Sequence, residues 1–486
     1  DDSLDFSAVG AGNALTVNIG SGTVNVSYGL NVATHTGDQV ETIIGGQGDD
    51  RFKFVDAATF PGTLNGFSGA ADTLDYSAYT TSVTVDLLAG TATGIVSESN
   101  IENIIGGLND DSLTGDNNAN IIDGGPGDDH LFGLDGDDTY EFGDDFGLDT
   151  VYENAAEGDD TMDFSAVTQP LTFTFNLTIV TVAYTSVPAN TVTHTGIYVE
   201  NYVGGGTGTS SSILDLSASL TGNNVLLTNV GTHRGFKGTV LSIPVNFDDI
   251  DVILGSLTAP DDQITGMNAA SAWTVNGVNN QYDSSTRTLN LQNLETLRGG
   301  TANDSFNFAD SASFAGAIDG GDGNNTLSFA GNTNNRGITL TAVDLNDGFA
   351  GQIDTSASTF TNIDILAGGN GTDTLVGADL IASWEIDGTD RYIVGAHDLE
   401  FSAFELLQGG SLADSFLFSG SAVFNGSIDG TAGNDSLDFS AYSSARSVAL
   451  NGVGATDGIA GTEAAITGSF TNIDNIIGLI YLRHLI

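Results

Sequence analysis

Between residues 106 and 141 apolar and polar positions recur every nine residues without a gap, as GGLNDDSLT, GDNNANIID, GGPGDDHLF and GLDGDDTYE. Each block opens with six turn-forming residues and closes with three of alternating character. The eighth position is apolar in every block (Leu113, Ile122, Leu131, Tyr140), while the seventh and ninth are mostly polar. One inward side chain flanked by two outward ones is the period-two signature of a short strand. A fifth block, Asp144 to Tyr152, follows after a slip of two residues, with Gly147, Asp149 and Val151 in the expected places.

A second period of about 110 residues occupies the C-terminal half. Trp273 and Trp384 are 111 positions apart, Gly300 and Gly410 are 110 apart, and Asn362 and Asn472 are 110 apart. Each copy runs through a W-x-[VI]-x-G strand, an apolar segment ending in Gly-Gly, an F-x-F strand and an apolar TNID segment. Pieces of this unit recur upstream: LD-[FY]-SA stretches begin at Leu4, Leu74 and Leu437, with relatives at Met162 and Leu214. Short β-branched strands punctuated by Gly, Asn and Asp, with almost no helix-period stretch, predict an all-β, elongated parallel β-solenoid (β-helix or β-roll) built from degenerate repeats.

The repeats divide the chain into N-terminal coils (1–105), the nonapeptide coils (106–152), diverged coils (153–256), two long repeat copies (257–369 and 370–478) and a tail (479–486) that departs from the pattern. Residue 1 already lies inside a motif, because Asp2 to Ala8 matches Asp435 to Ala441. The chain is therefore expected to be a segment of something longer.

Charge narrows the partners. The 63 acidic residues face 10 Lys and Arg, for a formal net charge of -53. Nucleic acid is a poor partner for such a surface, and no apolar run is long enough for membrane insertion. Self-repulsion of that size calls for counter-ions, and hard divalent cations held by oxygen ligands serve best, although acidity also simply keeps a secreted protein soluble. With 40% hydrophobic residues and 26 Phe the chain can still bury a core; with no Cys it does so without disulfides or thiolate metal sites.

The blocks from 106 to 141 resemble the hemolysin-type, or RTX, calcium-binding nonapeptide GGxGxDxUx. That resemblance implies a parallel β-roll in which Ca2+ sits between turns stacked on the same side. Carried over residue by residue, turn 106–111 pairs with 124–129 and turn 115–120 with 133–138. The implied ligands are Asp111 with Asp129, Asn120 with Asp138, Asp149 in the fifth block, and backbone oxygens near Gly106, Leu108, Gly124 and Pro126. Asn109 and Asn118 replace the fourth-position Gly, and Asn120 replaces the sixth-position Asp, so the second pair is expected to be the weaker. Asx-turns bonding their own backbone explain the same residues without metal. That explanation is the stronger one for the isolated turn acids Asp50, Asp72, Asp160, Asp304, Asp373, Asp414 and Asp435.

The longer phrases resemble the repeat regions of very large secreted bacterial proteins described as adhesins or hemagglutinin-like. The resemblance implies a calcium-stabilised structural element, extracellular or on the cell surface, that forms or extends a fibre, matrix or adhesin stalk, with self-association end to end or side by side into filaments. A carbohydrate- or surface-binding adhesin module, with surface glycans as partners, is the alternative. Trp273 and Trp384 are its candidate stacking faces, but equal places in two repeats favour packing. His35 and His194, each in a THTG phrase, are expected to serve the repeat structurally. No catalytic residue is assigned: H-E-x-x-H and G-x-S-x-G are missing, carboxylate pairs are too abundant to carry weight, and Arg51, Lys53, Arg234 and Lys237 are scattered. The chain is expected not to be an enzyme, a polysaccharide-active one being the remaining alternative.

Overall fold

A three-residue strand leaves most of its backbone groups unsatisfied unless copies of it lie on both sides, so a nine-residue period dictates stacking before any side chain is considered. A computed structural model describes residues 2–37, 39–176, 178–185, 190–205, 211–277, 279–344, 348–354, 358–478 and 480–484, the last four of these by backbone alone. It is all-β, with no helix among the described residues, and its strands are short and mostly paired in parallel. The chain is a β-solenoid.

Strands Asn103–Ile105, Ser112–Thr114, Ile121–Asp123, His130–Phe132 and Thr139–Glu141 begin nine residues apart, as the blocks predict. Alternate strands pair in parallel: Ile104 lies beside Ile122 and Ile122 beside Tyr140, while Leu113 lies beside Leu131 and Leu131 beside Val151. Two blocks therefore make one coil, and odd and even blocks build two separate sheets. The five-residue strand Leu148–Tyr152 absorbs the two-residue slip and keeps Val151 in register.

The chain divides into two units, Asp1–Asn223 with Asn229–Thr258, and Asn224–Thr228 with Ala259–Ile486. In the first, Val17, Phe52, Leu74, Ile104, Ile122, Tyr140, Met162, Tyr202 and Phe247 follow one another across paired strands, and none is more than 2% exposed. Burying each such side chain contributes about 1.5–3 kcal/mol, so the column holds the coils together without covalent links. In the second unit the same role falls to columns such as Trp273, Phe306, Leu327 and Leu366. The LD-[FY]-SA phrase also has a local cause. Its Asp accepts the N–H two residues on, as Asp75 does from Ser77, Asp163 from Ser165 and Asp438 from Ser440, while Tyr76, Phe164 and Phe439 enter the core.

The structure adds a feature that stacked parallel coils alone do not contain. Three-stranded antiparallel meanders interrupt the ladder, for example Thr16–Gly20 with Thr23–Tyr28 and Asn31–Thr36 in the first unit. In the second unit Ala382–Ile386, Arg391–Val394 and His397–Ser402 form another. The outer strands of this meander stay parallel to the coils beside them, Ala382–Ile386 to Asp414–Phe418 and His397–Ser402 to Ile365–Ala367. Its two tight turns carry Gly388 and Gly395 at φ 101° and 64°, values open to glycine and costly for other residues. The backbone of the tail does not leave the fold either: Ile480–His484 adds a parallel strand to Arg446–Val453. Residues 479, 485 and 486 lie outside the described residues.

The second position of the nonapeptide turn is left-handed at Gly125, φ 83°, and at Leu134, φ 76°. A residue with a Cβ gives up about 1–2 kcal/mol in that region. Leu134→Gly is therefore expected to stabilise its turn by about 1 kcal/mol, read as slower amide exchange over residues 133–141, and faster exchange would show that the half-buried leucine side chain contributes more than the backbone loses.

Candidate metal centre

The last turn residue before each strand has a backbone N–H that its own coil cannot bond. In this protein the side chain at the equivalent place one coil on accepts it. Asp129 Oδ1 takes the N–H of Asp111 at 2.7 Å, and Asp149 Oδ1 takes that of Asp129 at 2.9 Å. On the other sheet Asp138 Oδ1 takes the N–H of Asn120 at 2.7 Å, Asp160 Oδ1 that of Asp138 at 2.9 Å, and Glu200 Oε2 that of Asp160 at 3.0 Å. Such a hydrogen bond contributes about 0.5–1.5 kcal/mol when the acceptor is protonated and about 1.5–3 kcal/mol when it is ionised.

This arrangement explains the first-position glycine. A Cβ on Gly106 would strike Asp111 Oδ2, one on Gly124 would strike Asp129 Oδ2, and one on Gly133 would strike Asp138 Oδ2. None of the three has a positive φ, so the demand is for space and not for backbone freedom. The isolated turns share the geometry. Gly45 faces Asp50, Gly299 faces Asp304, and Gly409 faces Asp414, while Asp72 Oδ1 accepts from Asp50 N–H at 2.6 Å and Asp435 Oδ1 from Asp414 N–H at 2.9 Å.

The structure thus brings Asp111 to Asp129 and Asn120 to Asp138, and sets Asp149 next in line. Gly106 and Gly124 lie buried beneath their carboxylates, and Gly124 O closes on Gly106. Leu108 and Pro126 are exposed at the turn surface. Both Asp111 oxygens are engaged, Oδ1 by Val83 N–H and Oδ2 by Gly107 N–H. Asn120 is engaged too, its Oδ1 by Asp116 N–H and its Nδ2 by Glu102 O. The uncommitted oxygens belong to Asp129, Asp138 and Asp149, each with a buried Oδ2 that has no hydrogen-bond partner. Asp72, Asp160 and Asp435 have the same unpartnered Oδ2.

Burial, with neighbouring carboxylates adding to it, pushes these groups up: Asp72, Asp129 and Asp138 to about 7, Asp149 to about 9 and Asp160 to about 6. Oxygens of Asp138, Glu153 and Asp160 lie within 4.8 Å of one another, and all three side chains are buried. Sequence reasoning missed Glu153, which follows the strand Leu148–Tyr152 and belongs to no block. The signal was parity, since Asp149, Val151 and Glu153 alternate inward.

Other candidates are absorbed by the scaffold. Trp273 and Trp384 are 0% exposed and stack on Phe306 and Phe416 at 5.4 and 5.5 Å, so neither offers a face to a sugar. His35 and His194 occupy matching places in two meanders, opposite Val24 and Val180 of the middle strands. Burial lowers the pKa of His194, whose Nε2 accepts Tyr198 N–H at 3.3 Å. Arg51 and Lys53 both sit on Asp75, at 2.7 and 3.2 Å, Arg234 sits on Asp251 at 3.1 Å and Lys237 on Asp248 at 3.6 Å. No known family model matches the sequence, and no curated protein matches it at a significant level.

Acids whose folded-state pKa is raised bind protons in the folded chain that the unfolded chain has already released, so their contribution to stability is lost as pH rises through the raised values. In EGTA the melting temperature is expected to fall between pH 6 and pH 9, the range spanned by Asp160 and Asp149. Asp149→Asn removes the upper part of that slope. A melting temperature that does not change across this range in EGTA would show that these carboxylates are not held as acids.

Proposed function

We propose that the chain is an extracellular structural β-solenoid, not an enzyme, that forms or extends a bacterial surface fibre, matrix or adhesin stalk and is stabilised in part by calcium. The observation that carries this reading is the use made of the acids. Those before the strands are spent coil after coil as acceptors for the neighbouring coil's backbone, which is the work of a scaffold. Self-association of such coils end to end extends the same backbone pairing from one chain to the next, and side-by-side association packs one stack against another.

Calcium follows from the second oxygens. Buried carboxylate oxygens with no partner at Asp129, Asp138 and Asp149 are costly unless protonated or matched by a cation, and an all-oxygen donor set suits Ca2+. Extracellular calcium modules bind at about 10⁻⁴–10⁻³ M, an affinity that is useful only where calcium is abundant. The formal charge of -53 makes the same ion the natural counter-charge.

Removing calcium with EGTA is expected to speed amide exchange across residues 106–152 more than across the repeats from 257 to 478. Equal protection with and without calcium would remove the metal from the proposal. Electron microscopy of the purified protein in calcium is expected to show filaments, and monodisperse short particles at every calcium concentration would rule out self-assembly.

A further inference from the structure

Asp138, Glu153 and Asp160 form the one place among the described residues where three carboxylates converge. They come from different parts of the coil. Asp138 ends one nonapeptide turn, Asp160 ends the turn stacked on it, and Glu153 enters from the strand Leu148–Tyr152 of the other sheet. Their side chains are 1%, 4% and 0% exposed in chain order.

Each carboxylate is held by one oxygen and free at the other. Asn120 N–H holds Asp138 Oδ1, Asp138 N–H holds Asp160 Oδ1, and the Tyr140 hydroxyl donates to Glu153 Oε1. The remaining Asp138 Oδ2, Glu153 Oε2 and Asp160 Oδ2 are buried without a partner. No Lys, Arg or His among the described residues forms an ion pair with any of the three. Gly133 keeps the space open, since a Cβ there would meet Asp138 Oδ2, Glu153 Oε1 and Tyr140 Oη.

We propose that Asp138, Glu153 and Asp160 bind a single Ca2+ ion at the corner of the coil, a site that shares Asp138 with the implied turn pair of Asn120 and Asp138 but is completed by Asp160 and by Glu153 from the other sheet, neither of which the nonapeptide pattern implies. Three acids so close cannot all be charged unless a cation lies among them. The donors are all oxygen, which selects a hard ion over zinc or copper. Calcium holds its ligands at about 2.3–2.6 Å, so oxygens on opposite sides of one ion stand about 5 Å apart, and one oxygen from each of the three acids lies no farther than that from the others. Tyr140 is a positioning residue that fixes the Glu153 carboxylate. The site depends on the coil geometry and not on calcium in the turns between Asp111 and Asp129.

Calorimetric titration of the full chain with Ca2+ tests the assignment, comparing the unaltered protein with Glu153→Gln and Asp129→Asn. Glu153→Gln is expected to lose one ion, or to bind it at least about tenfold more weakly, while Asp129→Asn retains it. Equal stoichiometry and affinity in Glu153→Gln would overturn the site. Loss in Asp129→Asn alone would overturn it while sparing calcium in the turns, and loss in Glu153→Gln alone would do the reverse. Should Glu153→Gln fail to fold by circular dichroism, terbium replaces calcium. Tb3+ at this site is excited through Tyr140, so Tyr140→Phe is expected to reduce tyrosine-sensitised emission at saturating Tb3+, and unchanged emission would place the ion elsewhere.

Discussion

The fold depends on a carboxylate that accepts a backbone N–H from the coil before it. Parallel strands of three residues satisfy their own interiors, but the junction where a turn becomes a strand leaves a donor pointing along the stack. Placing Asp there answers one coil's donor with the next coil's side chain, as Asp129 answers Asp111 and Asp138 answers Asn120. The requirement passes from coil to coil. It also reaches back to the first turn position, where only glycine leaves room for the carboxylate, so Gly124 and Asp129 are chosen together.

One oxygen of each acid is enough for this work. At Asp111 the second accepts an N–H of its own turn, while at Asp129, Asp138 and Asp149 it stays buried without a partner, where burial among other acids raises its affinity for a proton. In those three the residue is a structural hydrogen-bond acceptor and, on our proposal, a metal ligand, and the two roles do not compete because they use different atoms. At Asp138 and Asp160 two acids held by backbone N–H groups meet a third, Glu153, held by the Tyr140 hydroxyl, and oxygens of the three converge.

Much of the fold was legible in the sequence because short coils leave little choice. With one inward side chain per three-residue strand, a shift of one residue would put Ile122 in solvent and Asp123 in the core, so the alternation fixes the register. The pairing of Asp111 with Asp129 was legible for the same reason, since they stand two blocks apart. The meanders were not. Their strands alternate as the coil strands do, and only hairpin turns such as those at Gly388 and Gly395 mark the reversals. Glu153 stayed hidden because its role is set by the neighbouring coil, through Tyr140 and Asp160, and no local phrase contains all three.

The meanders obey a rule of parity. A parallel ladder survives an excursion only if the chain leaves it in the direction in which it entered, and an odd number of strands does that while an even number reverses it. Three strands, as in Ala382–Ile386, Arg391–Val394 and His397–Ser402, are the smallest excursion that qualifies. Coils can thus gain or lose a hairpin's worth of width, two strands at a time, with every strand beyond still running the same way. Breadth can vary along the stack while its direction is conserved.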